Sequence, residues 1–433
     1  MVREIDREMT RWDPLKEIQS TRGRELDGKR IVLGVTGSVA SVEVPQLARE
    51  LIRHGADVTA VMTPAAGKLI RADLLEWATG NPVVRELTGK TEHVRLLGES
   101  PEQADLLLVA PCTANTISKI ALGIDDTPVT TFASMAIGNG VPVLVCPAAH
   151  EPMYRNGAVL ENIKRLKEMG VEILEPRIEE GKAKIADRQT IVLAVLRLLA
   201  RKDLEGRSFL VSGGPSAEFI DPVRVITNLS SGKTGVDIAT EAWRRGASVS
   251  YVYGGSLAPP SLIRSRRIVT TEEMSEAVMS ELSSKRFDVF ISAAAPADFT
   301  PLKGAGTKIP TKLGTISLEL KPTRKIIREA RSRFPELFVV AFKAETVDSL
   351  KGLEAVAKAY LTESQVDMVV ANDVSGGAAF GSDYNELLIV TKRRTVHLAR
   401  DLKTNLAGRL LEEVAAEIGR KRKRVMKVSS KAG

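Results

Sequence analysis

The residues with the clearest chemical potential lie near the middle of the chain, in residues 221–235. There, Gly232-Lys233-Thr234 has the form of the end of a Walker phosphate-binding loop. The complete pattern requires a glycine five residues before Gly232, and Thr227 occupies that position. We therefore reject a Walker loop and interpret the segment as a polar loop that carries Arg224 and Asn228 and opens a helix.

A second group of small, hydroxyl-bearing residues follows predicted strands in the first half of the chain, at positions 36–38, 63–64, 111–116 and 147–150. Ligands of open α/β sheets bind at the carboxyl ends of the strands. Gly37 and Ser38 open a predicted helix, where N–H groups and a hydroxyl suit a phosphate. Ser38 and Thr113 are equally typical of helix N-caps. The dinucleotide fingerprint lacks its third glycine, which favours a mononucleotide over NAD.

Alternating strands and helices must position these residues. The apolar runs predict strands at 29–36, 57–62, 105–110, 141–146 and 171–174. Helical periodicity predicts helices at 44–52, 113–122, 151–169 and 187–201. A strand, a glycine turn, a helix and a strand open a doubly wound α/β domain.

The pattern restarts after residue 206, because Trp243-Arg-Arg-Gly-Ala parallels Ile52-Arg-His-Gly-Ala. Strands are predicted at 207–213, 248–252, 287–291, 337–342, 366–371 and 387–391, and a terminal helix at 401–420. The Gly-, Pro- and Lys-rich residues 299–312 are interpreted as a mobile loop placed to act as a lid. We predict an N-terminal arm (1–28), two doubly wound α/β domains (29–201 and 202–420) and a basic tail (421–433).

Composition restricts the class of protein. The 433 residues are 43% hydrophobic and 27% charged, no stretch is long enough for a transmembrane helix, and no secretory signal opens the chain, which favours the cytoplasm. The net charge is +8, and seven lysines and arginines between residues 420 and 431 account for nearly all of it. We therefore expect neither nucleic-acid nor membrane binding. Two cysteines, Cys112 and Cys146, exclude a disulfide framework.

Three segments of the first half resemble the flavin-dependent cysteine decarboxylase family. They are Glu92-His93-Val-Arg-Leu96, Thr113-Ala-Asn-Thr116 and Pro147-Ala-Ala-His-Glu-Pro-Met-Tyr154, and the resemblance covers residues 29–200. It implies a flavodoxin-like fold that binds FMN and oxidises a substrate thiol so that CO2 can leave. The residues that match the flavin site are Gly37, Ser38, Val39, Thr63, Thr113, Ala114, Asn115, Thr116 and Ala148.

The same resemblance implies the catalytic residues of this domain. His93 matches the family's base near the substrate thiol. His150 stands where the family has an asparagine in its substrate motif, so the substrate carboxylate is expected to be held by the imidazole or by the adjacent backbone. The family's flap carries a proton-donating cysteine, which is absent from residues 178–185 here. Lys182 or Lys184 is the candidate replacement.

The second half resembles the phosphopantothenate–cysteine ligase family over residues 205–420. The matching segments are residues 221–235, 293–299, 307–309, 341–346 and 371–375. The resemblance implies a Rossmann-like domain that activates the carboxylate of 4'-phosphopantothenate with CTP and then joins it to cysteine. Magnesium is expected to accompany the nucleotide. Together the two resemblances describe a fused decarboxylase and ligase of coenzyme A biosynthesis.

The ligase resemblance also implies individual roles. Arg224 and Asn228 match residues that handle the acyl-nucleotide, and Lys308 matches a lysine needed to form it. The residues that match or extend the nucleotide site are Ser292, Ala293, Ala294, Asp298, Lys308, Thr323, Arg324, Lys325 and Phe342. Two family lysines are replaced here near Tyr360 and Ser364, so Lys343 and residues 321–325 are expected to supply triphosphate contacts.

Two other functions stay open from the sequence. One is a decarboxylase of another cysteine-ended substrate with a degenerate ligase domain, and the other is a non-catalytic regulatory flavoprotein. The preference for CTP over ATP also stays open. The resemblance implies a homo-oligomer, with trimer contacts in the first domain and dimer contacts in the second.

Overall fold

The computed structural model describes residues 15–375 and 381–429, except for the side chains of Leu313 and of residues 421–429. The chain divides into two compact units, Met1–Ala200 and Arg201–Gly433. Residues 1–14 of the predicted arm, residues 430–433 and the side chains of the predicted basic tail lie outside the described residues. Among the described residues, no helix combines the length and apolar character that a membrane span requires.

A parallel five-stranded sheet with the order β2-β1-β3-β4-β6 forms the centre of the first unit. The strands are β1 (Arg30–Val35), β2 (Asp57–Met62), β3 (Leu106–Cys112), β4 (Val143–Pro147), β5 (Ala149–His150), β6 (Glu172–Ile173), β7 (Arg177–Glu179) and β8 (Lys182–Lys184). The central strands are apolar and buried on both faces, as parallel strands covered by helices must be. This order confirms the predicted flavodoxin-like class.

The helices of this unit are α1 (Val44–Arg53), α2 (Ala72–Thr79), α3 (Glu92–Leu97), α4 (Ala114–Leu122), α5 (Pro128–Gly138), α6 (Glu151–Tyr154), α7 (Gly157–Glu168) and α8 (Arg188–Leu199). The prediction of one helix over residues 151–169 is wrong. The helix breaks at Asn156, whose side-chain oxygen accepts from Ala158 N (2.9 Å) and caps α7. Helix α5, which the sequence reading missed, begins with a capping box at Thr127.

The described part of the N-terminal arm lies on the end of α1. Arg22 N donates to Arg53 O (2.9 Å), and Leu26 N donates to His54 O (2.9 Å). The Leu26 side chain is fully buried. Residues 15–28 are therefore held by backbone hydrogen bonds and by one apolar anchor.

The second unit contains an eight-stranded sheet with the order β13-β12-β9-β14-β17-β18-β19-β20. Its strands and those of two small sheets are β9 (Ser208–Gly213), β10 (Ala217–Phe219), β11 (Val225–Thr227), β12 (Ser248–Tyr253), β13 (Arg264–Arg267), β14 (Val289–Ser292), β15 (Phe299–Pro301), β16 (Leu320–Pro322), β17 (Phe338–Glu345), β18 (Met368–Asp373), β19 (Tyr384–Thr391) and β20 (Thr395–Leu402). The first six strands of the large sheet are parallel, and β19 and β20 are antiparallel. This is a Rossmann-type order, with its switch point between β9 and β14.

The helices of the second unit are α9 (Lys233–Arg244), α10 (Thr271–Ser284), α11 (Ile326–Arg333), α12 (Leu350–Glu363) and α13 (Lys403–Ser429). Helices α9 and α13 cover one face of the sheet, and α10, α11 and α12 cover the other. The terminal helix was predicted at 401–420. The helix backbone instead continues through residues 421–429, which were predicted to belong to a separate basic tail.

Residues 299–312, which were predicted to form a mobile loop, contain a short strand and a backbone contact to a distant part of the chain. Strand β15 pairs with β16, and Ala305 N donates to Ile220 O (2.9 Å). The segment is therefore tied at one end to a two-stranded sheet and in its middle to the chain before Asp221.

Candidate active sites

Thr36 joins two strand ends at the carboxyl edge of the first sheet. Its hydroxyl donates to Pro111 O (2.8 Å) and accepts from Thr113 N (3.0 Å). The loops after β1 and β3 are thereby held side by side. They lie where a ligand of this fold class binds.

Ser38 and Thr113, both predicted flavin residues, are N-caps in the structure. Ser38 Oγ accepts from Ala40 N (3.3 Å), and Thr113 Oγ1 accepts from Thr116 N (3.3 Å). A short 3-10 turn, Val39–Glu43, comes between Ser38 and α1. The prediction that these two residues are N-caps is therefore confirmed. Capping does not exclude a ligand, because the cap bond occupies only one of the two lone pairs of each hydroxyl oxygen.

The other predicted flavin residues surround the same edge. A Cβ atom on Gly37 would lie 2.6 Å from Ala65 Cβ, so the backbone approach there requires glycine. Thr63 is buried, and its hydroxyl accepts from Ala66 N (3.2 Å). The remaining residues are Val39 and Asn115, which are exposed, and Ala114, Thr116 and Ala148, which are buried.

His93 lies on α3 with one ring nitrogen in an unusual position. Nδ1 is buried and has no hydrogen-bond partner among the described residues. The ring meets Phe132 of α5 edge to face, with the centroids 6.4 Å apart. Because a buried polar atom without a partner is costly, this nitrogen is a candidate for contact with a ligand.

His150 and Lys182 face each other across a small antiparallel sheet formed by β5, β8 and β7. Lys182 also lies opposite Glu179 of β7. Lys184 pairs instead with Glu180 (2.8 Å) and Glu179 (3.3 Å). Its hydrogen bond to Glu180, and then that to Glu179, raises the pKa of Lys184. The two candidate flap lysines therefore have different surroundings.

Asp221 accepts several hydrogen bonds that hold the start of the polar loop, residues 221–235, in the second unit. Its Oδ1 accepts from Val223 N and Arg224 N (both 2.8 Å), and its Oδ2 accepts from Arg224 Nη1 (2.8 Å) and Ile309 N (3.1 Å). Burial raises the pKa of this carboxyl, but the three N–H donors and Arg224 outweigh that effect and lower it to about 2. Asp221 is therefore charged throughout the physiological range.

The guanidinium of Arg224 also donates to Ile309 O (3.0 Å). Arg224 and Asp221 together clamp the residue next to Lys308. Lys308 itself is exposed. Neither Arg224 nor Lys308 lines the cavity described next, so the structure holds these two predicted residues on a neighbouring loop.

A cavity of about 640 Å³ lies at the carboxyl edge of the second sheet. The predicted residues that it brings together are Asn228, Ser292, Ala293, Ala294, Asp298, Thr323, Arg324, Lys325 and Phe342. Asn228 Nδ2 donates to Pro296 O (3.0 Å), and Lys325 Nζ donates to Asp298 Oδ1 (2.6 Å). Thr323 N donates to Asp298 O (3.0 Å), which fixes the 323–325 segment beside Asp298.

The charge of the cavity suits an anion. The cations that line it are Lys233, Arg324, Lys325, Arg328, Lys343 and Lys403, and the acids are Asp298 and Glu363. Lys343 pairs with Glu345 (2.7 Å) and lies 5.6 Å above the ring of Tyr360. Lysines and arginines in this excess are typical of phosphate binding.

The sequence reading missed Lys403 as a cavity residue. Strand β20, which brings it to the carboxyl edge, was not predicted. The only signal in the sequence was a lysine at the start of the terminal helix.

Comparisons with known proteins agree with both units. The Flavoprotein family matches residues 19–200, and the DNA/pantothenate metabolism flavoprotein C-terminal domain matches residues 204–418. Two solved structures are also similar. The C-terminal domain of CoaBC aligns with 50% of this chain and 98% of its own (29% identity, TM-score 0.43). The FMN-dependent cysteine decarboxylase SpaF aligns with 40% of this chain and 99% of its own (29% identity, TM-score 0.36).

Relatives match nearly the whole chain. The coenzyme A biosynthesis bifunctional protein CoaBC of Thermococcus kodakarensis is 48% identical over 92% of this chain and 98% of its own length. The protein of the same name from Methanocaldococcus jannaschii is 39% identical over 93% of this chain and 97% of its own. The chain belongs to the family of the coenzyme A biosynthesis bifunctional protein CoaBC.

Proposed function

We propose that this chain makes 4'-phosphopantetheine from 4'-phosphopantothenate, cysteine and CTP in two steps. The second unit ligates cysteine to the acid, and the first unit decarboxylates the product. The observation that carries the proposal is the 48% identity to a bifunctional protein over 98% of that protein's length.

In the ligation step, the substrate carboxylate attacks the α-phosphate of CTP and releases pyrophosphate. The cysteine amine then displaces CMP from the acyl-cytidylate and loses a proton as the amide forms. Cations that neutralise the triphosphate and fixed donors at the acyl phosphate lower the barrier of such a reaction. We assign the first task to Arg324, Lys325 and Lys343, and the second to Asn228 with Lys308.

The residues around Asp298 suit the cytidine. The Asp298 carboxylate and the chain at Ser292, Ala293 and Ala294 lie at the end of β14, with Phe342 on the neighbouring β17. A carboxylate accepts hydrogen bonds from an exocyclic amine, which cytosine possesses. Adenine carries an exocyclic amine as well, so this contact fits CTP and ATP alike, and the choice of CTP rests on the resemblance to the phosphopantothenate–cysteine ligase family.

Magnesium is proposed to arrive with the nucleotide. Within the described residues, no cluster of three or more His, Cys, Asp or Glu side chains could hold a metal ion. Mg²⁺ commonly binds through substrate phosphates with few protein ligands. The triphosphate would therefore hold most of the ion's coordination.

The residues at the edge of the first sheet fit an FMN. Gly37 and Ala65 are packed closely at this edge, and the buried Nδ1 of His93, which lacks a partner among the described residues, is free to form a hydrogen bond with a ligand. Gly37, Ser38, Val39, Thr63, residues 113–116 and Ala148 would hold it. When bound, FMN supplies reversible two-electron exchange, so the decarboxylation needs no other oxidant or reductant.

In the decarboxylation step, His93 accepts the thiol proton of the substrate. The carboxylate leaves as CO2, and one proton is added to the carbon chain in its place. We assign the carboxylate to His150 and the proton donation to Lys182, its neighbour across the strands. An imidazole suits proton transfer near neutral pH.

We further propose a cytoplasmic homo-oligomer, divided into an arm (1–28), two catalytic domains (29–201 and 202–420) and a basic tail (421–433). The free cysteines Cys112 and Cys146 suit a reducing compartment. Exposed apolar side chains occur in both units, with Val39 at 77% and Leu229 at 74% exposure. Single exposed apolar residues are common on protein surfaces, so the proposal of an oligomer rests on the resemblance to the two enzyme families.

One assay tests the proposed function. The purified protein is incubated with 4'-phosphopantothenate, cysteine, CTP and magnesium, and pyrophosphate and CO2 are both measured. We expect both products, and a preparation with flavin absorbance. Pyrophosphate without CO2 would leave only the ligase. CO2 from another cysteine-ended substrate, without pyrophosphate, would favour the first alternative, and the absence of both products would favour a regulatory flavoprotein.

A further inference from the structure

Helix α3, which carries His93, is too short to be stable without contacts at its ends. It has six residues, and isolated helices of fewer than about 12 residues are marginal in water. Its last turn is held by the buried side chains of Leu96 and Leu97 and by two hydrogen bonds. Leu96 O accepts from Ala104 N (2.8 Å), and Leu97 O accepts from Asn139 Nδ2 (2.9 Å). Other contacts must set the position of its first turn, where His93 lies.

A turn at residues 88–92 leads into this helix, and the carboxylate of Glu92 closes it. The carboxylate accepts hydrogen bonds from Thr88 N (3.0 Å) and from the Thr88 hydroxyl. Within the turn, Thr91 N donates to Thr88 O (3.1 Å), and Lys90 N donates to Thr88 Oγ1 (3.2 Å). The bond from the Thr88 hydroxyl, and then that from its backbone N–H, lower the pKa of Glu92 to about 2. Glu92 is therefore charged throughout the physiological range and accepts both bonds.

Thr91, the last residue before the helix, has a left-handed backbone conformation (φ 48°, ψ 51°). This conformation is rare for a β-branched residue, and it persists only where the surrounding contacts enforce it. Among the described residues, Thr91 is the one β-branched residue with a positive φ. Its carbonyl oxygen accepts the first hydrogen bonds of α3, from Val94 N (2.9 Å) and Arg95 N (3.0 Å). The conformation of Thr91 therefore sets the direction in which the helix starts.

Apolar packing holds the end of α3 but not the turn before it. Residues 88–91 are exposed. A cavity of about 730 Å³ is lined by Thr88 and Glu92 and also by Val32 of β1 and Thr59 of β2, so open space separates the turn from these strands. The hydrogen bonds between Glu92 and Thr88 are therefore the contacts that keep the turn closed.

His93 follows Glu92 directly in the chain. Its ring lies edge to face against Phe132, and its Nδ1 is buried. Displacement of a reacting group by about 1 Å is enough to slow a reaction by about 100-fold. If the turn opened, the start of α3 would move, and the imidazole would move with it.

We propose that Glu92 is a positioning residue for the decarboxylation, because its bonds to Thr88 hold Thr91 in the left-handed conformation that places His93. The proposal rests on the proposed function, in which His93 accepts the thiol proton of the substrate. Glu92 acts through His93 in this role and transfers no proton itself.

The first test measures CO2 release from supplied phosphopantothenoylcysteine by the wild-type protein and its Glu92 variants. We expect kcat of Glu92→Ala to fall about 10- to 100-fold while its KM changes less than about threefold, because the substrate still binds and only the base is displaced. Glu92→Gln keeps one accepting oxygen for Thr88 and should lose less. Glycine adopts the left-handed conformation without strain, so Thr91→Gly in the Glu92→Ala background should recover at least about threefold in kcat.

Glu86→Ala is the matched control, because Glu86 is an exposed carboxylate that lines the same cavity and lies outside the turn. Its CO2 release should equal that of the wild-type protein. Thermal unfolding and flavin absorbance show whether each variant is folded and carries flavin. A raised KM with unchanged kcat in Glu92→Ala would place Glu92 in substrate binding and overturn the proposal. Failure of Thr91→Gly to recover activity would overturn it as well.

Hydrogen exchange separates this proposal from the proposed function. The amides of Val94 and Arg95 donate to Thr91 O, so their exchange reports the hold on α3 whether or not the protein releases CO2. We expect exchange about tenfold faster or more in Glu92→Ala, measured by mass spectrometry, and wild-type exchange in Glu86→Ala. Unchanged exchange in Glu92→Ala would contradict the proposal. Absence of CO2 release by the wild-type protein would contradict the proposed function, and exchange would then decide alone whether Glu92 holds the helix.

Discussion

At the scale of single residues, close packing restricts one position and burial changes the ionisation of another. Gly37 has no room for a Cβ atom, and burial of the Asp237 carboxyl opposes its ionisation. The first constraint is visible only when Ala65 is placed beside Gly37. The second depends on burial near Lys233, Lys403, Asp383 and Tyr251, which the sequence does not reveal.

Gly37→Ala should reduce flavin binding. The new methyl group would lie 2.6 Å from Ala65 Cβ, so the loop at the flavin edge must move. We expect a several-fold loss of bound flavin per chain, measured by visible absorbance after purification. Gly67→Ala is the control, because nothing lies within 4 Å of a Cβ atom there. Equal flavin content in both variants would show that the close approach has no role in the site.

Asp237→Asn should stabilise the protein at alkaline pH. Burial raises the pKa of Asp237 to about 6, against a usual value near 4, while Lys403 and Lys233 oppose the rise. The carboxyl therefore ionises more easily in the unfolded chain. Its ionisation reduces stability as the pH rises from about 4 to 6, and the whole penalty is present above that range.

Replacement by asparagine should raise the free energy of unfolding by about 1–3 kcal/mol at pH 8 and by little near pH 4. Guanidinium unfolding of the wild-type and variant proteins at the two pH values measures the difference. A variant that is less stable than the wild-type protein at pH 8 would contradict this reading of Asp237.

At the scale of elements, the parallel strands could be predicted from the sequence, but the antiparallel pairings and the helix break could not. Continuous apolar runs such as residues 105–110 identify buried strands without any knowledge of their neighbours. The hairpin β19–β20, the pairing of β15 with β16 and the break at Asn156 depend on cross-strand partners or on one cap. For that reason the single helix predicted over 151–169 was wrong, and the pairing within residues 299–312 was missed, while their role as a lid stays a prediction.

Asp221→Asn should impair the ligase alone. An amide replaces one accepting oxygen with a donor, so it would oppose N–H groups that now donate to Asp221 and would loosen the clamp beside Lys308. We expect pyrophosphate release to fall by about tenfold or more, while CO2 release from supplied phosphopantothenoylcysteine stays at the wild-type rate. Asp348→Asn, at an exposed position in the same unit, is the control. Normal pyrophosphate release by the Asp221 variant would rule out a role for the clamp.

The β7–β8 hairpin should act through Lys182 rather than Lys184. Lys182 lies opposite His150, whereas Lys184 is engaged by Glu179 and Glu180. We expect Lys182→Ala to slow CO2 release by about 10- to 100-fold and Lys184→Ala to have a smaller effect. Single-turnover CO2 release is the measurement. Full activity of both variants would remove the hairpin lysines from the mechanism.

At the scale of the whole molecule, the two doubly wound units were predictable because the βαβ pattern repeats in the sequence. The predicted nucleotide residues were found mostly in one cavity, since strand ends of a parallel sheet share an edge. Arg224 and Lys308 lie outside that cavity, and Lys403 within it was missed. Sequence spacing does not record how loops and antiparallel strands fold back onto that edge.

Separate active sites in the two units are tested most directly by the His93→Asn variant. The protein is given 4'-phosphopantothenate, cysteine, CTP and magnesium, and pyrophosphate and CO2 are measured together. We predict that CO2 release falls by at least about 100-fold while pyrophosphate release continues and phosphopantothenoylcysteine accumulates. Matched loss of both products in a folded variant would contradict independent sites.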